Sequence, residues 1–480
     1  MAAAARAKTV AAATARSLPR WLAPHRSVPS GFVLERFVDL ESPPVRLQQE
    51  WAIVNCPIKK ASGCGEHGQR VVEGLTLYAR LLTSPDLTSS LYIRVSDDAL
   101  RGMKAEFGLG IDGDLIRIDE FRGFGAAAFV EETDEGLIFF TLVFRLREHG
   151  ERKYYLVYDA VAASLSMIPY LPRECPVAYT LRPLKVPRGG GYELALLAYK
   201  PVPPTPEQME RRKEDVVCVW TPAATVEEES SWLMLGRHFP EQAIQNFFKA
   251  DVMFFCRGEA FWVDLAQGLV HCDWPPADGS PVVDVHGDWP PADGGAVVDF
   301  GFIELPPGCP PDERWTKPKL ELSDELDLSD RDRTMAYVAG SIRFVCIDRS
   351  RRLGNVNISV WNLDPATKVW TNYKNFLAKE LWRLWTFKKD MLPEMEPRFP
   401  VLMADGTLCL LLRNKPEEME DPAEDYICNI ELPLLKVRWS GRLSQYHTCE
   451  HPIVLPFDFF GMVNPLIPRQ KELRGIFTQK

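Results

Sequence analysis

His447, Cys449 and His451, in the run His447-Thr448-Cys449-Glu450-His451, form the sharpest metal-binding pattern in the chain. Alternate residues of a strand share one face, so these three would offer two imidazoles and a thiolate, donors that suit zinc, to one side. Alternate positions lie about 7 Å apart, too far for bonds near 2 Å to one tetrahedral ion, and no fourth ligand stands out. An ordinary, partly exposed strand is expected there. Cys56, Cys64 and His67 bracket a turn-rich stretch, but at a spacing that matches no zinc pattern, so they read as incidental loop residues. Arg188-Gly189-Gly190-Gly191 lacks both the Lys-Ser/Thr of a phosphate loop and the staggered glycines of a dinucleotide turn, and reads as a hairpin tip. Asp273, Asp278, Asp284, Asp288, Asp293 and Asp299 are four to six residues apart around rigid prolines. Calcium loops need carboxylates at every second residue around a tight glycine turn, so a solvated acidic loop is expected. No G-x-S-x-G or H-E-x-x-H run occurs and the eight histidines are scattered. No catalytic, cofactor-binding or metal residue is therefore nominated, and a non-catalytic protein is expected.

The elements around these residues must come from a chain of 480 residues, long enough for one large domain or two ordinary ones. Its 46% hydrophobic and 25% charged residues fit a globular protein and argue against disorder over most of the length. Aromatics at 11% with 31 glycines and 39 prolines favour short strands joined by tight turns over helical bundles. Five basic residues and no acidic one precede Glu35; the remainder carries 51 basic against 66 acidic residues within a net charge of −10. Such a body repels phosphate backbones, so nucleic acid is not an expected partner. The 11 cysteines include no C-x-x-C pair, and several lie in apolar runs such as VVCVW around Cys218 and TLCLLL around Cys409. This is how free thiols are used in a reducing compartment, so an intracellular site, cytosol or nucleus, is expected. No apolar run reaches the roughly 20 residues that cross a bilayer, and no membrane is expected as a partner. Residues 1–30 are Ala- and Arg-rich and acid-free, read as a disordered leader; their composition also fits a mitochondrial or plastid transit peptide.

From Gly31 the text alternates apolar and polar residues, as in FVLERFVDL (32–40), SSLYIRVSDD (89–98) and GDLIRIDEF (113–121), the pattern of strands with a buried face. GLIFFTLVFRLRE (136–148) and KYYLVYDAVAASLSMIPYLP (153–172) read as two long strands and a turn. An apolar strand, a turn that usually carries Asp, and a second strand then recur at 216–235, 260–274, 357–373 and, more weakly, 425–441. Such hairpins fit the blades of a β-propeller, whose small sheets must stack to bury both faces. The spacing is irregular, since Asp264 follows Trp220 by 44 residues and Asp364 follows Asp264 by 100, so a degenerate propeller with insertions is expected. Three insertions stand out: 202–215, the charged 311–333, and a tandem duplication. In the last, HCDWPPADGSPVVDV (271–285) is followed by HGDWPPADGGAVVDF (286–300), with 11 of 15 positions identical. Its proline pairs bar it from a sheet interior, so one copy should complete a strand and the other enlarge a loop. Helical spacing is confined to 240–251 and 375–387, which could equally be strands.

SGFVLERFV (30–38), KYYLVYDAVAASLSMIPYLP, FWVDLAQGLVHCDW, SIRFVCIDR (341–349), VNISVWNLDPATKVW (356–370) and EPRFPVLMADGTLCLLL (396–412) occur in an order that resembles a grass-expanded plant family. That family is defined by the domain of unknown function 1618. The similarity covers about 31–465, while the duplicated segment departs from it. The resemblance implies kinship with kelch-like and F-box-associated propellers, which bind proteins; residues 1–30 lack the length and Leu-Pro pattern of an F-box, so no ubiquitin-ligase receptor role is expected. The fold expected is all-β, mostly antiparallel and propeller-like, with two packed antiparallel β domains as the alternative. The divisions are a leader (1–30), an N-terminal β-rich half (31–200), an exposed loop (201–215), a C-terminal half (216–465) holding the unknown-function domain at about 260–412, and a tail (466–480). A protein-interaction scaffold of unknown partner is expected, its acidic stretches at 311–333 and 414–426 suited to a basic surface; the alternative is a ligand-binding or hydrolytic propeller with its site in the central channel.

Overall fold

Most strands in this chain are apolar on both faces, a pattern that requires each sheet to be covered twice. The computed structural model shows how. It describes residues 31–38, 40, 51–81, 87–106, 124–134, 136–146, 150–171, 177–178, 183–188, 191–202, 212–221, 232–238, 248–274, 297–309, 332–348, 355–413, 425–443, 452–456 and 459. The leader, the tail and the 113–121 pattern lie outside them.

Six sheets are arranged as a six-bladed β-propeller. Blade I runs Ile453–Pro456, Gly31–Leu34, Thr88–Val95, Leu75–Arg80, Ala52–Ile53; blade II runs Phe37–Val38, Phe124–Asp134, Leu137–Leu146, Gly150–Asp159, Ser164–Pro169, Ile58–Ala61. In blade III, Val177–Ala178 and Leu184–Arg188 both pair with Gly191–Val202, followed by Arg212–Trp220, Trp232–His238 and Val297–Asp299. Blades IV to VI are four-stranded antiparallel sheets: Val252–Cys256 through Gly301–Glu304, Arg333–Val338 through Trp370–Leu377, and Glu396–Leu402 through Lys436–Leu443. The first strands of blades III to VI neighbour one another in turn, which places them innermost. Residues 203–211 join two paired strands of blade III.

Six apolar cores, one per blade interface, close the ring. Successive side chains of a strand point to opposite faces, so neighbours in sequence enter different cores. Leu194, Leu196 and Ala198 pack against blade II, whereas Ala195 and Leu197 pack against blade IV. Ala260 and Trp262 face blade III while Phe261 and Val263 face blade V. Leu408 and Leu410 meet blade V; Cys409 and Leu411 meet blade I. The last closure is made by the first and last described strands: Gly31–Leu34 pairs antiparallel with Ile453–Pro456, register Phe32 to Leu455. Val33 and Val454 then pack against blade VI, and Phe32, Leu34 and Leu455 against blade II.

The Asp-bearing hairpins have a common physical cause. Each Asp carboxylate accepts from backbone N–H groups that its own turn leaves orphaned: Asp159 from Val161 (2.8 Å), Asp264 from Ala266 (2.8 Å), Asp364 from Ala366 (3.0 Å) and Asp405 from Thr407 (3.0 Å). In the Asp264 turn the returning residue is Gly268, where a Cβ would stand 2.5 Å from the Ile303 carbonyl oxygen, so the strands approach as closely as they do only with glycine. Of the two segments with helical spacing, 375–387 ends one strand and forms the helices Ala378–Arg383 and Trp385–Lys389, and 240–247 lies outside the described residues. Two further helices, Gly65–Glu73 and Asp97–Glu106, contact each other and bury Val71, Val72, Ala99 and Met103 in the core between blades I and II. The duplicated segment divides between two sheets: its start, His271–Asp273, finishes a strand of blade IV, while Val297–Asp299 pairs parallel with blade III.

Candidate functional site

The register of blade VI gathers charges that are scattered in sequence. Glu396 is opposite Arg413, and the pairing of Leu412 with Tyr426 sets Arg413 opposite Asp425. Residues directly opposite share a face, and Arg398, two positions beyond Glu396, shares it too. On that face Leu411, Ile427 and Leu443 pack against Val33 and Leu87 of blade I. Two carboxylates and two guanidinium groups thus sit at the junction of blades VI and I, beginning on an innermost strand. Arg398 Nη2 lies 3.1 Å from Glu396 Oε2, both side chains buried, and Arg413 Nε lies 3.9 Å from Asp425 Oδ1. Asp425 is 1% exposed. Its Oδ1 and the Nε of Arg398 have no hydrogen-bond partner among the described residues. Burial pushes the Asp425 carboxyl up to about 6, against the pull of Arg413 and Arg398. A group so placed takes up or releases a proton near neutrality.

A second polar knot ties blade IV to blade V. Glu259 and His271 stand on the face of blade IV that meets blade V, beside Phe261, whose ring stacks on His271 at 5.5 Å. Lys368, from the Asp364 hairpin of blade V, holds both Glu259 oxygens at 2.7 and 2.6 Å, and His271 Nδ1 is 3.1 Å from Oε1. Burial, with Lys368 adding, lowers the His271 pKa, so the imidazole is held neutral. Cys256 pairs across from Glu259, yet burial pushes its thiol up to about 11, which leaves the knot without an activated nucleophile.

The outer rim carries a different feature. Leu377 N donates to Glu380 Oε2 (2.9 Å), starting the helix Ala378–Arg383; Ala378, Leu381, Trp382 and Phe387 then turn into the core between blades V and VI. Trp385 and Met391 are left 71% and 73% exposed, and Lys389 Nζ stands 5.1 Å from the Trp385 ring. Val437 N donates to Thr386 Oγ1 (3.3 Å), bringing the hairpin with exposed Leu434 beside these helices.

Residues 262–409 match the family model described as a protein of unknown function, DUF1618. The DUF1618 stretch runs from blade IV into blade VI and contains His271, Lys368, Trp385, Glu396 and Arg398, while Arg413 and Asp425 follow it. No curated protein matches the chain. Among solved structures, a protein of Bacteroides uniformis assigned as a 6-phosphogluconolactonase is 9% identical (69% of this chain and 84% of that chain covered, TM-score 0.26). The tricorn protease is 13% identical over 87% of this chain and 36% of that chain, with a TM-score of 0.24. A glycoside hydrolase is 8% identical over 69% and 91%, with a TM-score of 0.23.

His447, Cys449 and His451 lie outside the described residues, as do Asp278, Asp284, Asp288 and Asp293 and the side chain of His67. Among the described residues no three His, Cys, Asp or Glu side chains gather as a metal site, and no helix is long and apolar enough to cross a membrane. Cys56 is half-buried, its thiol pushed up to about 11, and Cys64 packs near it against the core of blades I and II. Arg188 and Gly191 close a hairpin, as the glycine run implied, and Arg188 is bonded to the buried Glu193, which also accepts from Thr221 Oγ1 at 2.7 Å. Sequence reasoning missed the charges of blade VI: Glu396 and Arg398 stand inside the stretch 396–412 without any motif spacing, and Asp425 falls in the acidic stretch at 414–426. The one available signal was charge inside strands otherwise made of Leu, Cys and Ile.

Proposed function

We propose that this propeller is a non-catalytic protein-interaction scaffold of the plant family that the resemblance implies, acting inside the cell, cytosol or nucleus. The observation that carries the reading is the exposed Trp385 on a helix whose other face is buried between two blades, with the exposed Met391 in the turn that follows it. Large aromatic side chains held on rigid elements are the usual anchors of protein interfaces, and the neighbouring Met391 and Leu434 widen the apolar surface around this one. Lys388 and Lys389 border the patch, so the segment it takes is apolar with acidic flanks. The test uses full-length protein with a photo-crosslinking residue at position 391, incubated in plant lysate, against the same protein carrying Trp385→Ala. Support is a defined crosslinked partner that the substitution removes. Crosslinking no higher than from an unrelated surface position overturns the reading.

A second reading, a ligand-binding propeller, is favoured by the buried Asp425 Oδ1 and Arg398 Nε. A small molecule with a donor beside an acceptor would satisfy both. Native mass spectrometry of the gently purified protein should then show a bound small molecule that Arg398→Met loses; an identical unliganded mass for both proteins removes this reading.

A further inference from the structure

We propose that Cys346 and Cys309 form a peroxide-responsive thiol pair that closes into a disulfide and staples blade V to blade IV. Cys309 lies beyond the outer strand Gly301–Glu304 of blade IV, in a turn fixed by its own N–H on the Pro306 oxygen (3.1 Å), and its side chain is buried in the core between the two blades. Cys346 sits on the second strand of blade V, partly exposed, and packs against the same core. Both side chains thus enter one core from opposite blades, with the Cys309 thiol placed to hydrogen-bond the Cys346 sulfur.

Arg333 supplies the third part of the arrangement. It is the direct cross-strand partner of Cys346, its guanidinium hydrogen-bonds the Cys346 sulfur, and its Nη1 donates to the Leu265 oxygen at 2.8 Å, which fixes it between the blades. The hydrogen bond from Cys309 and the charge of Arg333 draw the Cys346 pKa down, whereas burial pushes Cys56 and Cys256 up to about 11 and Cys272 and Cys409 up to about 12. Asp332 opposes Arg333 at Cys346 without reversing it. A partly exposed thiol with a lowered pKa beside a second, buried thiol is the arrangement in which reversible oxidation stops at the disulfide.

The chemistry balances with peroxide as oxidant. The Cys346 thiolate attacks one peroxide oxygen, the O–O bond breaks, and hydroxide leaves, taking a proton to become water; Cys346 is then a sulfenic acid. The Cys309 thiol, giving up its proton, attacks that sulfur, the S–O bond breaks, and a second water leaves with the disulfide. Two thiols are oxidised and one peroxide is reduced to two waters.

The test treats the reduced full-length protein with equimolar hydrogen peroxide, blocks remaining thiols, and maps peptides without reduction. The expected result is a Cys309–Cys346 crosslinked peptide pair, lost on reduction, formed before Cys56 is consumed. In Cys309→Ser, Cys346 should stop at the sulfenic acid and be captured by a 1,3-dione; in Arg333→Gln, reaction at pH 7 should slow and its pH midpoint move upward. Cys346 reacting no faster than Cys56 in the unsubstituted protein, or running on to sulfinic acid there with no crosslinked peptide, overturns the proposal whether or not the variants fold.

Discussion

Replacing Asp425 by asparagine should stabilise the protein at neutral pH and change little in acid. The carboxyl titrates at about 6 in the fold against 3.8 when free. Between those values the folded chain holds a proton that the unfolded chain has released, so stability falls as pH rises. The contribution is fully present below 3.8 and lost as pH passes through about 6. A rise of about 2 pH units at about 1.4 kcal/mol each is worth about 3 kcal/mol. Asparagine keeps the shape and neutrality of the protonated acid, so it removes this dependence. Two effects compete at this site: burial, which penalises the charge, and the two arginines, which reward it. Arg413 Nε at 3.9 Å is beyond hydrogen-bond reach, and Asp425 Oδ1 has no hydrogen-bond partner among the described residues, so burial wins. Urea unfolding of both proteins across the acid-to-neutral range should show midpoints that coincide below pH 3.8, diverge between there and about pH 6 and stay apart above it, with Asp425→Asn higher and the slopes equal. A variant less stable at pH 8 would refute the reasoning, since it would mean that the arginines outweigh desolvation.

Lys368→Met should cost about 1–2 kcal/mol, because it strips a nearly buried carboxylate of its bidentate partner. It should also move the His271 titration upward, seen by NMR, since Lys368 now holds that pKa down. In the unsubstituted protein His271 is neutral where the unfolded chain is already charged, so its contribution is present above pH 6.5 and is lost as pH falls from there toward the lowered folded value. Gly268→Ala should lower stability by about 1–3 kcal/mol, measured by urea denaturation, because the Ile303 oxygen 2.5 Å from the new Cβ belongs to the backbone and cannot turn aside. Ending the chain at Pro452 removes the antiparallel partner of Gly31–Leu34; hydrogen exchange should then show the Phe32 and Leu34 amides losing protection before those of blade IV.

The hairpins were legible because their cause is local. Asp159, Asp264 and Asp364 cap their own turns, and the strands around them alternate between two buried faces, so both signals fall within about ten residues. The blade count was not legible, because blades I and II are assembled from distant pieces. Phe32–Val38 reads as one strand, but Gly31–Leu34 joins blade I and Phe37–Val38 joins blade II, with the chain crossing between them at Glu35 and Arg36. Val297–Asp299 likewise leaves blade IV to pair with blade III, so the duplication conceals a strand exchange that no periodicity records.

The candidate sites were harder still, and for one reason. A propeller assembles polar groups by cross-strand register and by contact between blades, and neither leaves a spacing in the sequence. Arg333 meets Cys346 because a two-residue turn at Ala339 and Gly340 sets the pairing; Cys309 joins the same core because Ile303 and Leu305, just before it, are seated there with Phe344. Glu396, Arg398, Arg413 and Asp425 converge through two successive hairpin registers. A one-residue slip in either would send its share of the charge to the opposite core, where Leu408, Leu410 and Ile430 are packed. Four charges at a single blade face thus pin the pairing of blade VI beside the seam where Gly31–Leu34 and Ile453–Pro456 close the ring, and the proton that Asp425 takes up is held on the face that packs against that seam.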